Sequence, residues 1–115
     1  MPALMKIVNL EDGMPSVPQA RARLASEFAS ARAAEVTIVK VIHGYGSSGV
    51  GGDLRIALQA TLRQWQERGE IRACIYGENW RQSNDASWSL VKSYPELKAD
   101  RDFGRHNRGI TIVRL

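Results

Sequence analysis

The sequence predicts an α/β domain built on a mainly parallel sheet of four strands. Two observations carry the prediction. Apolar, β-branched runs alternate with stretches whose apolar residues recur at helical spacing, in the order β, α, β, α, β, a helical segment, β. The chain has 115 residues, enough for one such domain and not two. It is therefore read as a single domain over 1–115, with a helical insertion at about 78–107. Right-handed crossovers are expected between parallel strands. No repeat, low-complexity tract or linker interrupts the pattern.

Each element has its own signal. Met5 to Leu10 is a short apolar run, the first strand, and Glu11 to Pro15 is a turn. Ser16 with Gln19 three residues on has capping-box spacing, with Pro18 in the first turn of the helix that follows. Val17, Ala20, Leu24, Phe28 and Ala31 then form one apolar stripe, and the helix should end near Ala33 or Ala34. Val36 to Ile42 is the second strand, apolar except for Thr37 and Lys40. A second helix is expected from about Asp53 to Arg68, stopped by Gly69, with Arg55, Gln59, Arg63 and Gln66 on its polar face, where the arginines are either a solvated surface or a track for backbone phosphates beside the loop. Ile71 to Tyr76 is the third strand. Asn84-Asp85 can cap a short helix, Ala86 to Tyr94, ended by Pro95 and docked through Trp88, Leu90 and Val91. Lys98 to Arg108 is highly charged and reads as surface, and Gly109 to Leu115 is the last strand.

The chemistry gathers where the second strand ends. His43-Gly44-Tyr45-Gly46-Ser47-Ser48-Gly49 runs from the strand into the second helix. The first amides of a helix have no internal partner and the dipole is positive there, so an anion is favoured. Glycines let backbone approach a ligand closely. His43 can act as acid, base or donor near neutral pH, or it can brace the turn through a backbone carbonyl. Tyr45, between two glycines, is the best candidate for base stacking and Trp80 the next, whereas Trp65 and Trp88 sit at core spacing. Arg55, Arg105 and Arg108, with Arg101 and His106, can build one basic surface beside the loop.

These residues also carry a resemblance. Val41-Ile42-His43-Gly44-Tyr45-Gly46, followed by a glycine run and Asp53-Leu54-Arg55, resembles the His-Gly-x-Gly core of the Smr (small MutS-related) domain family. Gly109-Ile110-Thr111-Ile112-Val113-Arg114-Leu115 is similar to the family's closing strand. The resemblance implies an α+β two-layer sandwich, βαβαββ, with a four-stranded mixed sheet. The last strand would be antiparallel and lie between strands two and three. It implies nucleic-acid binding, of RNA or DNA including branched forms, and in some members endonuclease activity. Where family members often carry Leu-Asp-x-His at the end of strand one, this chain has Val8-Asn9-Leu10-Glu11. Glu11 then stands as a second catalytic residue beside His43, as a base or as a ligand to a divalent ion, should it face the histidine. The departure touches cleavage more than binding.

Composition agrees and excludes other classes. The net charge is +4 and the pI about 9.6, with arginine well ahead of lysine. Arginine's planar fork suits phosphate and stacks on bases. Gly44-x-Gly46-x-x-Gly49 matches a dinucleotide fingerprint by letter only. It follows the second strand, and Glu78 lies too far beyond Gly49 to serve the ribose. There is no Walker motif, no zinc-ligand spacing among Cys74, His43 and His106, and no nucleophile elbow for Ser47 or Ser48. No organic cofactor is expected. No apolar run reaches the ~18 residues that span a bilayer, and no membrane role is expected. One cysteine and an N-terminus unlike a signal peptide point to the reducing cytoplasm. The expected function is a nucleic-acid-binding domain that holds phosphate at the loop, with phosphodiester cleavage as the catalytic extension. The alternative is a protein-interaction domain using the charged insertion and lacking nucleic-acid affinity.

Overall fold

Ser16 opens the first helix as its neighbours predict. Its hydroxyl accepts from the Gln19 amide at 3.3 Å, and the Gln19 side chain accepts from the Ser16 amide at 2.9 Å. That reciprocal cap fixes the start of α1 (Val17–Ala33), whose buried residues are Ala20, Leu24, Phe28 and Ala31. The computed structural model describes residues 3–45 and 50–115. Within them lie strands β1 (Met5–Asn9), β2 (Ile38–Ile42), β3 (Ala73–Tyr76) and β4 (Ile110–Arg114), and helices α2 (Val50–Glu67) and α3 (Asp85–Ser93). Single 3-10 turns cover Gly77–Asn79 and Pro95–Ala99. The Asn84 side chain caps α3 by accepting from the Ser87 amide at 2.9 Å.

The sheet order is β1-β2-β4-β3. β1 pairs parallel with β2, while β4 is antiparallel to both β2 and β3. The last strand therefore lies in the middle, and β1, β2 and β3 all point the same way. α1 and α2 cover one face through Val8, Val39, Val41 and Val113 against Leu24, Phe28, Leu58 and Leu62. Alternation sends Ile38, Ile112 and Ile75 to the other face. There the segment between β3 and β4 packs Trp80, Leu90, Val91 and Leu97. The insertion thus adds a third layer to the two that the resemblance implies. The physical reason lies in β2 and β4, which are buried on both sides and need cover on both.

Three expectations change here. Asp100 and Asp102 are not part of a solvated charged loop. Lys40, on the insertion side of β2 and 2% exposed, reaches Asp100 at 2.9 Å and Asp102 at 2.5 Å. Burial alone would raise the Asp102 pKa, but hydrogen bonds from Lys40 and Asn107 and the Lys40 charge outweigh it and hold the carboxyl below its ordinary value. Trp80 is fully buried, donates to Asp100 at 3.0 Å and packs edge-on against Phe103, so it offers no stacking surface. Gln59, expected on the polar face opposite the core, is buried, and the neighbouring Arg63 bonds the Tyr76 hydroxyl at 3.1 Å across to β3. Cys74 is half-buried, and desolvation pushes its thiol up to about 11, so it stays protonated.

Candidate functional site

The parallel strands end at one edge of the sheet, where β4 begins. The register sets Asn9 beside Ile42, Ile42 beside Ile110, and Tyr76 beside Thr111. The residues just past these pairs, Glu11, His43, Glu78 and Gly109, therefore share one rim with the start of α2. In open α/β sheets such a rim is the usual place for a ligand.

His43 is fully buried. Its backbone amide and that of Gly44 both donate to the Gly109 carbonyl, each at 3.1 Å, joining the loop to β4. The ring Nδ1 lies 2.9 Å from the Gly44 carbonyl. A carbonyl only accepts, so Nδ1 carries the proton, and Nε2 of the neutral ring accepts from the Thr111 hydroxyl at 2.9 Å. Burial lowers the His43 pKa, helped by the positive charge of Arg55 and opposed by the Gly44 hydrogen bond and Glu78. The ring is neutral and locked, and it braces the turn.

Glu11 comes to the same place. Its amide donates to the Asn9 side chain at 2.8 Å, a local turn that aims the residue at the loop. Gly44 has φ +83, and a β-carbon there would stand 3.0 Å from the Glu11 carboxyl carbon. The dihedral favours glycine, and an added β-carbon would push the exposed Glu11 side chain aside. Glu11 therefore packs on Gly44, beside the histidine in sequence, and no hydrogen bond joins Glu11 to His43 among the described residues.

Asn107 ties this rim to the insertion. Its amide nitrogen donates to Asp102 at 2.9 Å, and its oxygen accepts from the Gly109 amide at 2.9 Å. A continuous path thus runs from Lys40 through Asp102, Asn107 and Gly109 to the His43-Gly44 backbone. Gly77 fits against it so closely that a β-carbon would lie 1.7 Å from the Asn107 carbonyl oxygen. Sequence reading missed Asn107 and Thr111. The one available signal was Lys40 itself, a cation in an apolar strand that had to find a carboxylate.

Tyr45 stands out from the rim with 53% of its surface exposed. The Arg55 and Arg108 guanidinium carbons each lie 5.8 Å from its ring centroid, and Arg108 donates to its hydroxyl at 3.2 Å. Next to it is an open hollow of about 330 Å³ lined by Tyr45, His106, Asn107 and Arg108. His106 adopts φ +57, an uncommon backbone state for a non-glycine residue. The structure thus brings Tyr45, Arg55, His106 and Arg108 to one place. Arg105 is exposed but does not line the hollow. Gly46, Ser47, Ser48 and Gly49 lie outside the described residues. Among the described residues, no cluster of three or more His, Cys, Asp or Glu is placed to hold a metal ion. Arg55 Nε, Gln59 Nε2 and Glu78 Oε1 are buried and find no partner there.

No family model and no curated protein matches the chain. The structure is similar to the crystal structure of the Smr domain of Thermus thermophilus MutS2, with a TM-score of 0.58, 21% identity and 96% of each chain covered. The chain has the fold of an Smr domain. The likeness extends over nearly the whole length of both chains.

Proposed function

We propose that this Smr-fold domain binds nucleic acid at the strand-end rim. The observation that carries the reading is the meeting of two arginines, Arg55 from α2 and Arg108 from the approach to β4, on one exposed tyrosine. Neither guanidinium forms an ion pair with a carboxylate among the described residues, so both charges are available to phosphate. The Gly44 amide is taken by the Gly109 carbonyl, so in this reading the phosphate would be held by the chain that follows Gly44 and by the start of α2, and Arg105 extends the basic surface. The cytoplasm is its proposed setting, and RNA and DNA, branched forms included, are its proposed ligands. The experiment is binding of labelled single-stranded RNA, duplex DNA and branched DNA to the wild-type chain and to Arg55→Ala/Arg108→Ala. Saturable binding that the double variant weakens supports the reading. Absence of binding to every ligand at low salt overturns it and leaves a protein-interaction domain.

Endonuclease activity is the further step of this proposal. His43 would exchange the proton at a phosphodiester and Glu11 would assist, as a base or by holding a divalent ion. The geometry sets a condition on that step. Both ring nitrogens are bonded and the ring is enclosed, so the Thr111 or Gly44 bond must open first. Cleavage that persists in purified His43→Ala would remove the histidine from that role.

A further inference from the structure

We infer that the hollow beside Tyr45 is a pocket for the base of an unpaired nucleotide, so that the domain selects single-stranded over fully paired nucleic acid. The inference rests on the nucleic-acid reading above and specifies its ligand. All four residues that line the hollow carry a planar group: a phenol, an imidazole, a carboxamide and a guanidinium. Planar rings and guanidinium groups are the surfaces on which bases stack. At about 330 Å³ the hollow is of a size suited to a small ligand. Its walls are held in place from behind. Asn107 is fixed by Asp102 and Gly109, and Tyr45 is fixed at its hydroxyl by Arg108. The Asn107 wall, bonded on both sides, is preorganised to receive a base.

The geometry also argues against a paired ligand. Bases inside a duplex present only their edges in the grooves. Tyr45 has the hollow at the side of its ring, and a base must leave the stack to lie there. Arg55, within reach of the same ring, is placed for the phosphate joined to that base. His106, held at φ +57, is the remaining wall of the hollow.

The test compares short oligothymidine and oligouridine strands with abasic strands of equal length, which keep every phosphate and lack every base. Anisotropy is read for the intact wild-type chain, Tyr45→Ala and Tyr45→Phe. Stacking contributes about 1–3 kcal/mol per base, so the abasic strand should bind about 5- to 150-fold more weakly to the wild type. Tyr45→Ala should bring the normal strand down to the abasic level, and Tyr45→Phe, which keeps the ring, should restore the difference. Equal affinity of normal and abasic strands for the wild type overturns the pocket while leaving phosphate binding in place. A base preference that survives Tyr45→Ala, in protein whose circular dichroism is unchanged, also overturns it. Binding of none of the strands removes the pocket together with the reading it rests on.

Discussion

Two polar clusters lie on either side of Asn107, and they are built in opposite ways. In the insertion layer, Lys40 is enclosed with two carboxylates, Asp100 and Asp102, and each carboxylate has a further donor, Trp80 or Asn107. At the rim, Arg55 and Arg108 meet a tyrosine, and no carboxylate pairs with either among the described residues. The first arrangement satisfies its charges internally, as a buried charge must be. The second leaves its cations without a carboxylate, Arg108 exposed and Arg55 partly buried with an unpartnered Nε, so that both can meet an anion. The difference separates what holds the fold from what is open to a ligand, and Asn107 joins the two.

The sharpest way to break the comparison is to unpair the buried cluster. Lys40→Ala leaves two enclosed carboxylates without their cation and should cost about 3–5 kcal/mol of stability in urea unfolding. A loss of under about 1 kcal/mol, the scale of an exposed pair, would mean that the cluster is solvated after all. Next comes the junction. Asn107→Ala removes the acceptor for the Gly109 amide and a donor to Asp102, and should cost about 1–3 kcal/mol. It should also weaken nucleic-acid binding, because Asn107 anchors the strand end to which His43 and Gly44 bond. Full stability with normal binding would show that the junction carries nothing.

A smaller, graded effect comes from pH. His43 has a folded pKa below its ordinary value of 6.5, because burial disfavours the imidazolium. The unfolded chain therefore takes up a proton first. The stability linked to His43 is fully present above about 6.5 and is lost progressively as pH falls toward the folded pKa. Asp102 follows lower down. Its pKa is also depressed, so its contribution is present above the ordinary 3.8 and disappears as pH falls through the folded value. Urea midpoints measured across this range should decline on acidification in His43-containing protein. In His43→Gln the decline just below pH 6.5 should be absent. An identical profile in both would contradict the buried neutral ring.

Much of the fold was legible because local signals and burial agree. The Ser16 cap, the α1 stripe and the Asn84 cap are each written within a few residues, and each is found as written. The order of the strands required the resemblance, since nothing local says that β4 inserts between β2 and β3. The insertion was harder to read. The run from Lys98 to Arg108 is charged enough to read as surface, and only Lys40, far away in sequence, discloses that Asp100 and Asp102 turn inward. Trp80 was misjudged for a related reason. Its partners Asp100 and Phe103 come from the same long insertion, whose own core no periodicity announces. At the site, Tyr45, Arg55 and Arg108 were readable as types suited to nucleic acid. Their meeting point was not, because Arg108 lies 63 residues from Tyr45 in sequence. The enclosure of His43 was equally hidden, since it depends on Thr111 in the adjacent strand.

The central claim is that the rim cations are open to phosphate while the insertion's charges are not. The most direct measurement is the salt dependence of single-stranded nucleic-acid binding, for the wild type and for Arg55→Ala/Arg108→Ala. Each phosphate contact contributes a slope of about −0.7 in log affinity against log salt on single strands. The account predicts a saturable, salt-sensitive wild-type curve, and a slope shallower by about 0.7 for each contact removed in a double variant that keeps its urea midpoint. An unchanged slope, or a wild-type chain that binds nothing at low salt, would contradict it.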